Sequence, residues 1–139
     1  LMVWSPLAGG MLSGKYALGK EGETQGEGRR AKLDFPRVDK EKALALVEAM
    51  RPMAEERGVA VAAIALAWLL HQLVVSSVIV AKRPDQLAQN IAASAVELTR
   101  EELERLDMLG APEPEYPGWS IAMQTGGNAA RVSPRREPR

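Results

Sequence analysis

One apolar stretch limits the folds open to this chain more than any other feature of its sequence. Val59–Leu70 is a run of 12 residues without a polar side chain, whereas a membrane-spanning helix needs about 20 apolar residues. A helix built from this run is apolar on every side, so it has to pack between other elements. The run therefore predicts a buried helix over Ala60–Gln72 and no membrane segment.

A second apolar run, Val74–Val80, is rich in β-branched residues and predicts a strand buried on both faces. Another short strand is expected in residues 1–8, before the chain turns at Pro6. The order of strand, loop, helices, strand and helix is a βαβα pattern, which implies two parallel strands and a right-handed crossover. Because two parallel strands cannot form a sheet covered on both faces, we expect their missing neighbours to come from another chain or from sequence preceding Leu1.

The region between these strands is predicted to be a loop followed by helices. Residues 16–36 are charged and glycine-rich without a helical or strand period, so we expect a long surface loop. Asp39 can cap the helix that follows, whose apolar positions recur with helical spacing, and Gly58 can end it. Pro52 lies inside this pattern and is expected to kink or shorten the last turn.

Two more helices are predicted after the second strand. Pro84 suits the first position of a helix that extends to about residue 96. The side chains expected on its inner face are Leu87, Ile91 and Ala95. Thr99 and Glu102 have the spacing of a capping box for a final helix over residues 100–109.

Charge and residue types exclude several classes of function. The 18 basic and 18 acidic side chains cancel to a formal net charge of zero. This argues against a general binder of nucleic acid or of anionic membranes, since both need an excess of Lys and Arg. The absence of cysteine excludes disulfides and thiolate metal sites. His71 is the single histidine and follows an apolar run, so it is interpreted as structural, and His-rich metal clusters are excluded.

The segment Trp4–Tyr16 is the most informative one for chemistry. Its sequence, WSPLAGGMLSGKY, places a hydroxyl, several small residues and Lys15 directly after a strand. Small residues leave backbone N–H groups accessible, and together with a lysine they suit a pyrophosphate. The pattern is neither a Walker A loop nor G-x-G-x-x-G. A plain glycine-rich turn is the alternative that the residues alone favour.

A second candidate site lies where the second predicted strand ends and the helix at Pro84 begins. Lys82 and Arg83 place two positive charges beside the positive end of that helix dipole. Gln86 and Asn90 are four residues apart and project from the same helical face. A phosphate beside an adenine would match both features. The alternative is a solvated Lys-Arg pair with two surface amides.

Taken in order, these segments resemble the C-terminal part of the aldo-keto reductases. The motifs are WSPLAGGMLSGKY, GVAVAAIALAWLL, SSVIVAKRPDQLAQNIAA, ELTREELERLD and YPGW. The resemblance implies an α/β fold, the C-terminal portion of a (β/α)8 TIM barrel, with residues 1–119 as the NADP-binding part and residues 120–139 as a flexible tail. It also implies a cytoplasmic enzyme that reduces aldehyde or ketone carbonyls by hydride transfer from NADPH, with the remainder of the barrel as a partner.

The resemblance assigns cofactor contacts residue by residue. Trp4 would stack on the nicotinamide. The residues that would wrap the pyrophosphate are Ser5, Leu7, Gly9, Gly10, Ser13 and Lys15. Arg29 or Arg30 would help to close over the cofactor, and Lys82 and Arg83 would hold the 2′-phosphate that distinguishes NADP from NAD. The residues that would surround the adenine are Gln86, Gln89 and Asn90.

The sequence also departs from the family pattern. A glycine that is common before the basic residues is missing at Ala81-Lys82, Ala60 stands where a capping Ser or Thr is usual, and Pro52 has no counterpart. Motifs for the family's catalytic Asp, Tyr, Lys and His are absent, so no catalytic residue is assigned to this chain. The alternatives are a truncated or non-catalytic barrel relative that retains at most nucleotide binding, and a helical interaction module over residues 40–109.

Overall fold

A computed structural model of the chain describes residues 1–18, 24–25, 35, 37–72, 75–77 and 83–112. The strands are β1 (Met2–Val3), β2 (Ala17–Leu18), β3 (Thr24–Gln25) and β4 (Ser76–Ser77). The α-helices are α1 (Lys40–Arg57), α2 (Val61–Leu70), α3 (Pro84–Ala92) and α4 (Arg100–Gly110). Two 3₁₀ helices span Ala8–Ser13 and Ala93–Ala95.

The two strands that the sequence predicts to be parallel are paired. β1 runs parallel to β4, with Met2 opposite Ser76 and Val3 opposite Ser77. The parallel arrangement expected from the βαβα pattern is thus confirmed. Most of the strand predicted over residues 74–80 lies outside the described residues. Within the described part of the chain this sheet has two strands, so each strand has one edge without a neighbouring strand.

Part of the segment predicted to be an irregular surface loop has regular structure. β2 pairs antiparallel with β3, and the Tyr16 side chain is 3% exposed. Its ring packs in a small cluster with Met11 and Ala43. The prediction of a surface loop from residue 16 onwards is therefore wrong at its start, because burial of one aromatic ring outweighs the charged composition of the residues after it.

The interior of the fold is built around α2, as its apolar sequence predicts. Ile64 and Leu66 are fully buried. Ile64 belongs to one core cluster with Val47 and Met50 of α1 and Leu106 of α4. α2 starts one residue later and ends two residues earlier than the predicted helix, and it contacts α1, α3 and both 3₁₀ helices. No helix among the described residues combines the length and the apolar character needed to cross a membrane.

The helix caps follow the sequence closely. The Asp39 side chain accepts a hydrogen bond from the Lys42 N–H at 3.0 Å, at the start of α1. Gly58 ends that helix in the left-handed conformation, with φ of 61°. Thr99 and Glu102 form the reciprocal capping box predicted for α4. These termini are set by contacts within four residues, which is why a local pattern predicts them.

Of the two effects expected of Pro52, a kinked or a shortened last turn, the shortening is wrong. The helix continues beyond the proline to Arg57. Pro52 itself is exposed, whereas Met50 and Met53 on either side of it are buried in the core. Packing of the flanking side chains therefore outweighs the hydrogen bond that a proline removes from a helix.

α3 differs from its prediction in both its end and its buried face. Regular α-helix gives way to the second 3₁₀ helix before residue 96. Leu87 and Ile91, which were expected on the inner face, are 44% and 56% exposed, and Ala95 is exposed as well. Asn90 and Ala93 are buried instead. Ala93 packs against α2, and this contact turns the Leu87–Ile91 stripe away from the described core.

His71 occupies a structural position, in agreement with its interpretation from sequence. Its Nδ1 lies 2.8 Å from the carbonyl oxygen of Ala67, and its Nε2 accepts the Leu98 N–H at 3.4 Å. Both contacts are satisfied by a neutral ring with the proton on Nδ1. The imidazole thus joins the end of α2 to the segment that precedes α4.

One ion pair joins the end of α1 to α4. Arg57 donates from Nη1 and Nη2 to the two carboxylate oxygens of Glu102, at 2.9 and 2.8 Å. Both side chains are largely buried. Burial raises the pKa of Glu102, but hydrogen bonds from the Thr99 N–H and from Arg57 outweigh it and hold that pKa below its usual value. The carboxylate is therefore a stabilising partner that acts in its charged form.

Replacing Glu102 tests this ion pair. Glu102→Gln should lower the free energy of unfolding of the complete protein by about 2 kcal/mol at pH 7, because Arg57 loses two short contacts to a part-buried carboxylate and keeps, among the described residues, only one charged contact, at 3.6 Å to the exposed Glu56. Folding lowers the pKa of Glu102, so its contribution is present above the ordinary carboxyl pKa and is lost as the pH falls through the lower folded value. In urea unfolding, the difference between wild type and variant should shrink as the pH is lowered below the ordinary carboxyl pKa of glutamate.

Glu104→Gln is the matched control for this experiment. Glu104 pairs with Arg100 on the exposed face of the same helix, and such a pair contributes about 0.5 kcal/mol or less. Equal losses of stability in the two variants would contradict the importance given to the Arg57–Glu102 pair.

Candidate functional site

Residues 5–14, which we call the glycine turn, have an unusual backbone. The residues with positive φ are Ser5 (52°), Ala8 (50°), Gly9 (66°), Gly10 (96°) and Gly14 (79°). Glycine adopts this left-handed region freely. Ser5 and Ala8 do so at a cost in conformational energy, and backbone strain of this kind is concentrated at functional sites.

Hydrogen bonds inside the glycine turn hold this backbone. The Gly9 N–H donates to Ser5 Oγ at 3.0 Å, and the Gly10 N–H donates to the Leu7 carbonyl at 2.8 Å. Ser13 Oγ donates to the Gly10 carbonyl at 2.6 Å. The N–H groups of Gly9 and Gly10, which the sequence suggested would be accessible, are thus used within the turn. Ser5 Oγ accepts a hydrogen bond and keeps its own proton to donate to a ligand.

Lys15 brings a positive charge to the glycine turn. A Cβ atom placed on Gly10 would lie 3.7 Å from Lys15 Cε and 3.9 Å from its Nζ. The same ammonium is 5.0 Å from the centroid of the Tyr16 ring, and the buried Tyr16 hydroxyl has no hydrogen-bond partner among the residues that the structure describes. Because Gly10 has no side chain, a phosphate can approach the backbone directly beside this cation. The residues present therefore fit a pyrophosphate.

Contacts with the helices fix the glycine turn in place. Arg51 of α1 donates from Nη2 to the Gly14 carbonyl at 3.3 Å. A Cβ atom on Gly14 would lie 3.3 Å from Cβ of Val61, the first residue of α2. Leu7 is half-buried and packs against the core cluster that contains Ile64. Its side chain thereby fixes the turn to the core, and its carbonyl accepts the Gly10 N–H. The sequence did not identify Arg51, since it falls on the solvent face of its helix.

Trp4 presents an open aromatic surface immediately before the glycine turn. Its side chain is 70% exposed. It makes an edge-to-face contact with Phe35, with ring centroids 5.6 Å apart and an interplanar angle of 65°. An exposed indole held in this way offers a flat apolar face on which a planar ring can stack. Phe35 belongs to a segment without periodicity, which is why sequence reasoning missed it.

The second candidate site lies at the start of α3, where Arg83 is the N-cap residue. Its Nε donates to Asp85 Oδ1 at 2.9 Å, and its Nη2 donates to Oδ2. This hydrogen bonding and the charge of Asp85 raise the pKa of Arg83, and the hydrogen bond from Arg83 lowers the pKa of Asp85. Both groups are exposed and charged at neutral pH. Asp85 is a partner that the sequence analysis did not consider.

The three amides proposed for the adenine site are divided by the fold. Gln86 and Gln89 are exposed on α3 near Arg83, whereas Asn90 is buried. Gln86 and Asn90 therefore do not present one continuous exposed amide surface. Arg29, Arg30 and Lys82 lie outside the described residues.

Each candidate site follows one strand of the parallel pair in the sequence. β1 runs directly into Trp4 and the glycine turn, and β4 precedes Arg83 by a few residues. Because β1 and β4 are parallel neighbours, the chain leaves both strands at the same carboxyl edge, where α/β proteins commonly bind ligands. Within the described ranges, no group of three or more His, Cys, Asp or Glu is placed to hold a metal ion.

Comparison with known proteins gives one family match and several relatives. The chain matches the model of the aldo/keto reductase family over residues 1–111. It is 34% identical over 110 residues to an L-glyceraldehyde 3-phosphate reductase of Escherichia coli O157:H7, covering 76% of this chain and 32% of that protein. It is 33% identical over 122 residues to a probable voltage-gated potassium channel subunit beta of Oryza sativa subsp. japonica, covering 83% and 36%.

A protein of Arabidopsis thaliana that carries the same name is 33% identical over 124 residues, covering 84% of this chain and 37% of that protein. The chain thus spans about a third of the length of these curated relatives.

Two glycine variants test the packing of the glycine turn. Gly14 and Gly58 both have left-handed φ values, at which alanine costs about 1 kcal/mol. An added Cβ meets Val61 at Gly14, but nothing lies within 4 Å of a Cβ at Gly58. We expect Gly14→Ala to lower the free energy of unfolding by about 2–3 kcal/mol and Gly58→Ala by about 1 kcal/mol, measured by urea unfolding. Equal losses would show that the Gly14–Val61 contact is unimportant.

Proposed function

The chain belongs to the aldo/keto reductase family, and on that premise we propose that it supplies the cofactor-binding part of an NADP-dependent oxidoreductase that reduces aldehydes or ketones. The observation that carries this proposal is the glycine turn. Its left-handed backbone brings Gly10, which has no side chain, next to the Lys15 ammonium, directly after a strand of the parallel pair. That arrangement suits a pyrophosphate.

We propose further that the chain is the closing portion of a (β/α)8 barrel, with β1 and β4 as neighbouring barrel strands. Residues 1–119 would belong to the barrel and residues 120–139 to a flexible tail. Support comes from the parallel pairing and from the exposed stripe of Leu87 and Ile91 on α3, which neighbouring barrel elements would cover. The matched segments cover only about a third of the relatives' length, which leaves room for the remaining strands.

Several residues in and near the glycine turn have distinct tasks in this proposal. Lys15 neutralises phosphate charge, and the Ser5 hydroxyl donates a hydrogen bond to a phosphate oxygen. Gly9 and Gly10 allow close approach to the backbone, while Ser13 and Leu7 hold its shape through the hydrogen bonds described above. Arg29 would close over the cofactor from the following loop.

Trp4 positions the reacting end of the cofactor in this scheme. Its exposed ring would support the nicotinamide on one face and exclude water from that side. NADPH, when bound, supplies the hydride that reduces a substrate carbonyl. The proton donor for the carbonyl oxygen is assigned to the rest of the protein, since no motif for it occurs in this chain.

Arg83 and Lys82 would select NADP over NAD through the 2′-phosphate. A guanidinium pairs with a phosphate through two parallel hydrogen bonds, and Arg83 is exposed at the start of α3. Gln86 and Gln89 would contact the adenine from the same exposed turn. Asn90 would support them from its buried position. We propose a cytoplasmic location on family resemblance alone.

A non-catalytic role is the second candidate. Two relatives are named as probable potassium channel beta subunits, which favours a nucleotide-binding protein that serves in an assembly. Carbonyl-dependent oxidation of NADPH by the complete protein supports the oxidoreductase. Tight NADPH binding without turnover across a panel of aldehydes and ketones supports the second candidate.

Replacing Arg83 tests the 2′-phosphate assignment. Arg83→Ala should raise the Kd of the complete protein for NADPH about tenfold and leave the Kd for NADH within about twofold, because NADH carries no 2′-phosphate. Isothermal titration calorimetry measures both. Arg100→Ala, an exposed arginine on α4, is the control and should change neither value. Equal weakening of both cofactors by Arg83→Ala would refute the assignment.

Replacing Trp4 tests the stacking role. Trp4→Ala should raise the Kd for NADPH about fivefold to tenfold and slow turnover, whereas Trp4→Phe should retain most of the affinity, because a ring is kept. Met108→Ala removes a similarly exposed apolar side chain on α4 and should have no effect. Unchanged affinity and turnover in Trp4→Ala would exclude this role.

A further inference from the structure

We propose that Asp85 is a specificity-determining residue whose carboxylate competes with the 2′-phosphate of the cofactor for the Arg83 guanidinium. The competition would weaken the preference for NADPH over NADH. This inference rests on the proposed role of Arg83 in binding the 2′-phosphate. It adds that Asp85 limits how tightly Arg83 binds that phosphate.

The geometry of the pair carries the argument. Asp85 uses both carboxylate oxygens, one on Nε and one on Nη2 of Arg83. This two-point contact along one edge of the guanidinium is the same contact that a phosphate makes. One of the guanidinium edges that can hold a phosphate at two points is therefore already bound by a side chain two residues away.

The 2′-phosphate and the Asp85 carboxylate are both negatively charged and repel each other. A phosphate monoester carries a charge of about −1.5 to −2 at neutral pH, and Asp85 stays ionised because Arg83 lowers its pKa. A phosphate that reaches Arg83 must either displace the carboxylate or lie beside it and be repelled. Both outcomes reduce the gain from the arginine.

NADH carries a hydroxyl in place of the 2′-phosphate, so it would interact differently with Asp85. Its ribose 2′-hydroxyl is uncharged and can donate a hydrogen bond to a carboxylate, as acidic residues accept it in other NAD sites. Asp85 therefore disfavours the phosphorylated cofactor and is neutral or favourable toward the unphosphorylated one. Exposed ion pairs have modest energies, so the expected effect is a factor of a few in affinity.

Asp85 also lies in the first turn of α3, where a negative charge stabilises the helix N-terminus. A variant can therefore change stability as well as binding. The ratio of the Kd values for NADH and NADPH separates these effects, because a change in helix stability alters both affinities together. Asparagine keeps the size of the side chain and its ability to accept a hydrogen bond.

The experiment measures Kd values of the complete protein for NADPH, NADH and adenosine 2′,5′-bisphosphate, a probe that keeps the 2′-phosphate but lacks the pyrophosphate and the nicotinamide. Asp85→Asn should tighten NADPH and the bisphosphate about threefold to fivefold and leave NADH unchanged or weaker. In an Arg83→Ala background the same substitution should give a smaller gain, because no guanidinium is left for the carboxylate to release and only the direct repulsion is removed. Glu104→Gln removes the carboxylate of another exposed Arg pair and should alter none of the three values.

Each other outcome overturns a defined part of the account. An unchanged ratio in Asp85→Asn, with selective loss of NADPH in Arg83→Ala, refutes the competition and leaves the proposed function intact. Weaker NADPH binding in Asp85→Asn would show that Asp85 orients Arg83 toward the phosphate. That result also refutes the competition between Asp85 and the 2′-phosphate. An equal gain in Glu104→Gln attributes the effect to net charge. No selective effect of Arg83→Ala refutes the proposed role of Arg83 itself.

Discussion

The left-handed backbone of the glycine turn is the constraint on which the candidate site depends. Ser5 and Ala8 adopt positive φ without being glycines, so other contacts must hold them there. Hydrogen bonds within the turn and the Arg51 contact to Gly14 supply part of that restraint. The rest comes from Leu7 and Leu12, which pack on the core built around α2. The shape of the anion site thus depends on helix packing some distance from the residues that would touch a ligand.

The positions of individual charges say more about where an anion could bind than the overall charge does. A net charge of zero conceals a cation at the glycine turn and another at the start of α3, each of which follows a strand of the parallel pair in the sequence. The two cations differ in their surroundings. Lys15 lies over an aromatic ring, whereas Arg83 is paired with Asp85. Under the proposed function, the pyrophosphate would meet a lysine that lies over an aromatic ring, whereas the 2′-phosphate would meet an arginine that already holds the Asp85 carboxylate.

Sequence reasoning succeeded where structure is decided locally and failed where tertiary contacts decide. The caps at Asp39 and Thr99 depend on neighbours a few residues away, and the predictions there were confirmed. The burial of Tyr16 depends on a distant helix, and no local pattern signalled it. The exposure of Ile91 follows from the way α3 rests on α2. In the candidate site, the residue types were recognisable by resemblance, but the hydrogen bonds inside the turn and the Arg83–Asp85 pair became visible only in three dimensions.

A crystal structure of the complete protein with NADP bound tests the central claim most directly. The account predicts that the pyrophosphate lies against Gly10, with Lys15 Nζ and Ser5 Oγ in hydrogen-bonding contact with phosphate oxygens, and that the 2′-phosphate lies at Arg83. A cofactor whose pyrophosphate is bound away from residues 5–15 would contradict it.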